Sequence, residues 1–261
     1  MLVASVLSLK GGVGKTTVTL GLAGAAWDRG LRTLVIDLDP QANTSTGLDL
    51  GRAFTTAAQV LAHPAPGALA AAVSDSEWGP NVHGVVGSRT LDYFTGPAAL
   101  PPASLRIAMG GLTDYDVVLI DTPPSLGSLT RNALTASTLA LVVTEPSLYS
   151  LHGAQQALEA VDAARADNLR LQAGGIVVNR WRAQATEHRY RMDELTAAYG
   201  HLLFTPPIPE RVAVQQAAGA CVPVQVWRSQ GAREVSDVFE DYLDRILRHR
   251  SAAGPLLRGT A

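Results

Sequence analysis

The sequence predicts a doubly wound α/β fold, a mostly parallel sheet flanked by helices on both faces. Short, largely apolar runs recur at Leu2–Leu9, Thr33–Asp37, Val117–Asp121, Leu139–Thr144 and Gly174–Asn179, as strands buried on both faces require. Helical stretches separate them, the alternation that builds parallel sheets. Most of the runs close on a polar residue, at the strand ends where open α/β sheets hold ligands. At 261 residues the chain suits one large domain with a substantial core. Residues 1–250 are assigned to that domain and 251–261 to a short, flexible C-terminal tail.

The first run leads directly into Lys10-Gly11-Gly12-Val13-Gly14-Lys15-Thr16-Thr17. A helix from Lys15 to Arg29, closed by Gly30, is expected next. A glycine-rich turn between strand and helix is the setting of a phosphate-binding P-loop. Glycines let the backbone curl with its N–H groups inward, and the helix adds its positive end. Lys15 is placed to reach the β- and γ-phosphates of a nucleotide, and Thr16 to present a hydroxyl to Mg²⁺. The usual spacing G-x-x-x-x-G-K-[ST] places its first glycine at Leu9, so the match is imperfect, and Lys10 follows that position. Lys10 and Lys15 are the chain's only lysines, against nineteen arginines. A compact ammonium suits a tight phosphate cradle better than a planar guanidinium.

The stretch KGGVGKTT resembles the deviant Walker A motif of the ParA/MinD group of P-loop ATPases, and the resemblance extends over about residues 1–250. It implies ATP and Mg²⁺ as ligands, with backbone N–H groups from Gly12 to Thr17 around the phosphates. It also implies a face-to-face homodimer in which Lys10 crosses to the nucleotide of the other subunit.

The second run closes on Asp37-Leu38-Asp39-Pro40-Gln41, which resembles the family's second nucleotide motif in its ParA form. By that match Asp39 positions or activates the attacking water; an aspartate here could equally cap a loop or helix. Hydrolysis in such a family is slow and partner-stimulated. Residues 48–115 are less informative. Ala53–Ala72 reads as helical with an interruption at His63–Gly67, Val82–Gly87 as a strand, and Pro97, Pro101 and Pro102 as loop markers. His63 and His83 lack ligand spacing.

The run ending at Asp121 reads as a Walker B strand whose carboxylate holds Mg²⁺, through water or through Thr16. Thr122-Pro123-Pro124 resembles the switch segment that follows it. A helix over Leu129–Ala136 and the strand Leu139–Thr144 come next, then a break at Glu145-Pro146-Ser147 and Gly153, then a long helix through Arg165. Asn179 matches a family asparagine that bonds the adenine edge, although an asparagine at a strand end also caps turns. Pro207 and Pro209, in Thr205-Pro206-Pro207-Ile208-Pro209, match a loop lying over the adenine.

Arg180, Arg182, Arg189 and Arg191, interleaved with Trp181 and Tyr190, form the densest basic run. Such a run suits nucleic acid; it equally suits a solvated helix face neutralised by Glu187, Asp193 and Glu194. ParA proteins commonly carry further arginines in an IPRNVR segment, whereas this chain reads Ile208-Pro209-Glu210-Arg211-Val212-Ala213. Arg211 is the one cation left there.

The formal net charge of −2 excludes a global basic field. One cysteine, Cys221, excludes an internal disulfide framework and a four-cysteine metal site. No apolar run is long enough to span a bilayer, and the N-terminus enters a strand with no charged leader; the expected compartment is the cytoplasm. The final helix carries Val235, Val238, Phe239, Tyr242, Leu243, Ile246 and Leu247 as a core stripe; Arg245, Arg248 and Arg250 could touch an anionic surface but are expected to pack on the domain. The segment after Arg250 is expected to break the helix.

The resemblance therefore implies a ParA-type partition ATPase for chromosome or plasmid DNA. Its ATP dimer binds non-specific DNA on the nucleoid, and a centromere-binding activator protein triggers hydrolysis. The alternatives are a MinD-like membrane ATPase, an ATPase that positions a protein cargo without DNA, and a small-molecule kinase or synthetase on the same fold.

Overall fold

A computed structural model describes residues 1–51, 53–96 and 98–252. Among these residues seven strands form one sheet: β1 (Leu2–Leu7), β2 (Thr33–Asp37), β3 (Val73–Asp75), β4 (Val82–Val85), β5 (Val117–Asp121), β6 (Leu139–Thr144) and β7 (Gln172–Val178). They lie in the order β3-β4-β2-β5-β1-β6-β7, and only the β3–β4 pair is antiparallel. The chain leaves β1 toward β2 on one side and later fills β6 and β7 on the other. The strand order thus reverses beside β1, where a doubly wound sheet opens its ligand crevice.

The strand residues alternate between two covered faces. Ala4, Val6, Val117 and Leu119 pack against α1 (Lys15–Asp28), and the same core takes in α8 (Val212–Gly219) and α9 (Gln230–Ala252). Leu34, Ile36, Val118 and Ile120 pack in the core that α3 (Ala57–Ala62), α4 (Ser104–Ala108) and α5 (Ser128–Ala136) complete. A third cluster joins Val142, Ile176 and Val178 to α6 (Ser150–Ala164) and α7 (Thr186–Tyr199). The remaining helix, α2 (Asn43–Gly47), follows β2. Burial on both faces explains why the strands read as uninterrupted apolar runs.

α1 is buried on most of its sides, so its interior glycines have a packing reason. A Cβ on Gly21 would enter the Phe239 ring of α9. The intrinsic penalty of a mid-helix glycine, about 1 kcal/mol, is offset by this approach. The α9 stripe is confirmed: Val235, Val238, Phe239, Tyr242, Leu243 and Ile246 are buried, with Leu247 packed against them. The Arg245 guanidinium lies over the Phe204 ring and donates to the Leu203 carbonyl, which places it on the domain as expected.

Several boundaries differ from expectation. β1 ends at Leu7, and Ser8 and Leu9 already lie in the stretch that bends into the glycine loop. The alanine-rich Ala53–Ala72 stretch yields only α3, closed at its start by a reciprocal Thr56/Gln59 cap, and a 3₁₀ turn at Ala70–Ala72. High helix propensity does not survive Pro64 and Pro66. β4 stops at Val85, short of Gly87. Gly153 lies within the first turn of α6 rather than breaking the chain ahead of it. α9 continues to Ala252, past the expected stop at Arg250. The loop assignment at Pro97 and the tail assignment over 253–261 lie outside the described residues.

Candidate functional site

The loop between β1 and α1 has the backbone its glycines permit. Gly12 and Gly14 have φ of 81° and 95°, and Gly14 is the N-cap of α1. Both values lie where a β-carbon is strained. Gly14 is doubly constrained, because a Cβ there would strike the Asn179 amide. That amide donates from Nδ2 to the Val13 carbonyl at 2.9 Å, so the end of β7 buttresses the loop from beneath. Gly14→Ala should therefore destabilise the chain by about 3 kcal/mol, lowering Tm by roughly 8 °C in a thermal melt. A change below about 1 kcal/mol would contradict the buttress.

Two strand ends deliver the buried carboxylates. Asp37 of β2 and Asp121 of β5 are opposite each other in the parallel register, and both are fully buried. Thr16 Oγ1 donates to Asp121 Oδ2 at 2.8 Å, and Thr44 Oγ1 donates to the same oxygen at 2.5 Å. Asp121 Oδ1 is buried with no hydrogen-bond partner. Asp37 accepts from the backbone N–H and hydroxyl of Ser45 at 2.8 and 2.7 Å, and from Asp39 N–H at 3.1 Å. Burial pushes both carboxyls above the usual carboxylate range; for Asp37 the nearby Asp121 adds to it, and for Asp121 the hydroxyls of Thr44 and Thr16 oppose it. Lys15 is also buried, which lowers its pKa, while Asp121 and Asp39 act against that shift. A doubly charged cation here would favour both ionised carboxylates.

These residues fit a magnesium nucleotide. Backbone N–H groups with the α1 N-terminus suit phosphate oxygens. One unsatisfied carboxylate oxygen among hydroxyls suits a hard cation that keeps most of its own water. Among the described residues no group of three His, Cys, Asp or Glu forms a self-sufficient metal cage. Asp39 is buried beside them, its Oδ1 accepting from Gln41 N–H at 2.9 Å. The switch segment lies against the loop: Thr122 bonds the Val6 carbonyl, and Pro124 would be the nearest neighbour of a Cβ on Gly11.

The structure brings together Gly11, Gly12, Val13, Gly14, Lys15, Thr16, Thr17, Asp39, Asp121 and Asn179. Pro207 and Pro209 lie close by. Ile208 N–H bonds the Val178 carbonyl, and Trp181 N–H the Ile208 carbonyl, each at 2.9 Å. Lys10 is apart, half exposed, with Nζ 2.5 Å from Glu145 Oε1. The other Glu145 oxygen lies 3.7 Å from Arg180. Thr44, Ser45 and Glu145 escaped the sequence reading; the only hint of the first two was the string of small polar residues after Pro40.

The other arginines singled out for DNA contact are each engaged within the chain. Arg182 is paired with Glu210, Arg191 with Glu187 and Glu194, and Arg211 with Glu234. Arg189 bonds the Ala183 carbonyl and the Thr186 hydroxyl. Among the described residues no helix is long and apolar enough to cross a membrane.

Comparison with known proteins agrees with this geometry. Residues 4–224 match the family described as the CobQ/CobB/MinD/ParA nucleotide binding domain. The chain is 32% identical over 231 residues to the chromosome partitioning protein ParA of Caulobacter vibrioides, covering 86% of each chain. It is 32% identical over 242 residues to the chromosome-partitioning ATPase Soj of Thermus thermophilus, covering 91% of this chain and 93% of that one. Cobyrinic acid a,c-diamide synthase from Mycobacterium smegmatis, solved with ADP and magnesium, superimposes with a TM-score of 0.78 at 25% identity over all of both chains. The chain belongs to the ParA/MinD family of P-loop ATPases.

Proposed function

We propose that this chain is a ParA-type partition ATPase that binds ATP with Mg²⁺, dimerises on it and holds non-specific DNA in that state. The observation that carries the reading is the convergence of Lys15, Thr16, Asp39 and Asp121 on one glycine cradle. Backbone N–H groups from Gly12 to Thr17 and the Lys15 ammonium bind phosphate oxygens. Thr16 and Asp121 orient the cation, which when bound neutralises charge on the phosphates. Asp39 holds the attacking water and accepts its proton. Asn179, Pro207 and Pro209 wall the base. Lys10 leaves Glu145 and reaches the phosphates of the second subunit. A centromere-binding partner would stimulate the slow hydrolysis and release the dimer from the nucleoid.

The test is binding to random-sequence duplex DNA with ATP, with ADP and without nucleotide, over a series of salt concentrations. Binding with ATP alone, falling steeply with salt, is the expected result. Equal binding in all three states would overturn the cycle.

One observation favours a second reading, an ATPase that positions a protein cargo without DNA. Arg182, Arg191 and Arg211 are each engaged by a carboxylate of the same chain. Under the DNA reading Glu210→Gln, by freeing Arg182, should tighten DNA binding by about three- to tenfold at low salt in a fluorescence anisotropy titration. No DNA binding in either form, with ATP dimers intact, would select the protein-cargo reading.

A further inference from the structure

Asp121 takes hydroxyl donors from two different elements. Thr16 belongs to α1 and Thr44 to α2, and both donate to Oδ2. Thr44 is fully buried, so its hydroxyl is committed to this cleft and not to solvent. A hydroxyl that has given its one proton to a carboxylate still has lone pairs to present elsewhere. Thr16 and Thr44 therefore set two neutral oxygens around one carboxylate whose Oδ1 is buried and unpartnered. A hard divalent cation selects such an all-oxygen arrangement.

We propose that Thr44 belongs to the shell around the divalent cation, as a positioning residue that ties α2 to the bound metal. This rests on the nucleotide-binding reading above.

The placement of α2 gives the tie a purpose. α2 begins four residues after Asp39, and its start at Ala42 has φ of 53°, a conformation strained for a residue with a β-carbon. The next residue of α2, Ser45, bonds Asp37 through both backbone and hydroxyl, and its Oγ accepts from Gly87 N–H at 2.9 Å. The segment 39–45 is thus pinned at Asp121 by Thr44 and at Asp37 by Ser45. Asp39 sits inside that closed segment, its own N–H on Asp37. A cation that draws Thr44 and Thr16 to itself fixes the position of Asp39 through less than two turns of chain. Thr44 acts through this geometry and touches no reacting atom.

The experiment titrates a fluorescent ATP analogue into the intact chain at a series of Mg²⁺ concentrations and in EDTA, for wild type, Thr44→Val and Thr44→Ser. Valine keeps the shape and removes the hydroxyl; serine keeps the hydroxyl. The Mg²⁺ midpoint of Thr44→Val should rise at least about tenfold, with binding in EDTA unchanged, while Thr44→Ser stays within about twofold of wild type. A purely structural role would alter binding in EDTA and the midpoint together. A wild-type midpoint in Thr44→Val would overturn the proposal and leave the nucleotide reading standing. Nucleotide binding by wild type that does not depend on Mg²⁺ would take down both. If Thr44→Val fails to fold, Thr44→Cys replaces it: a thiol in the shell should weaken Mg²⁺ and favour Cd²⁺, and an unchanged preference would count as the same refutation.

Discussion

Lys15→Ala should lose nucleotide binding, with the Kd for a fluorescent ATP analogue rising at least about 100-fold. The Lys15 ammonium is buried beside Asp121 and Asp39, and burial alone lowers its pKa. Holding a charge there is favourable only with strong partners, and phosphate oxygens complete the set that the two carboxylates begin. Removing the cation leaves anionic phosphates facing buried carboxylates, a loss on the order of 3 kcal/mol or more. The fold should survive, because the α1 packing around Val18 and Leu22 does not involve this side chain. Isothermal titration with ATP and Mg²⁺, alongside a thermal melt, checks both halves. Affinity within tenfold of wild type would exclude the cradle as the nucleotide site.

Lys10→Ala should give the opposite pattern: nucleotide binding retained and the ATP-dependent dimer lost. Lys10 is half exposed, and its contact with Glu145 is a surface pair worth at most about 1 kcal/mol, so folding should be unaffected. In a sandwich dimer the same ammonium enters a closed, dry interface against phosphate, where the interaction is several times stronger. Sedimentation velocity with a slowly hydrolysed ATP analogue should show dimerisation at least about 100-fold weaker. Lys10→Arg should not restore it, because a planar guanidinium does not replace a compact ammonium in a tight pocket. An undiminished dimer in Lys10→Ala would remove the trans role of Lys10.

Much of this site was legible because its parts are local. The 10–17 loop, Asp39 and Asp121 each sit where an apolar strand stops, and a strand end at the carboxyl rim is visible in the chain itself. Thr44 and Ser45 were not legible. α2 is five residues long and polar, and it is held by two buried carboxylates from other strands and not by helix propensity. The buttress from Asn179 to Val13 depends on β6 and β7 bringing a residue 166 positions away under the loop. The arginine run was visible as composition, and so was its neutralisation by the local Glu187 and Glu194, which pair with Arg191; the pairing of Arg182 with Glu210, which comes from a later segment, was not. Ala53–Ala72 shows the reverse error, in which local alanine propensity promised more helix than the tertiary context allows.

The sheet ends differently at its two margins, and this limits how copies of the chain can meet. At β7 the chain from Leu202 to Ile208 runs along the outer side: Ile176 N–H bonds the Leu202 carbonyl, Phe204 N–H the Ile176 carbonyl, and Ile208 N–H the Val178 carbonyl. The outward hydrogen-bonding groups of Ile176 and the Val178 carbonyl, which a stray strand would need, are already taken. At the opposite margin β3 has only three residues and exposes the Asp75 carboxylate. A short margin carrying a charge is a poor template for another strand. Growth of the sheet from copy to copy is thereby disfavoured at both margins, so any association between copies is left to other faces of the domain.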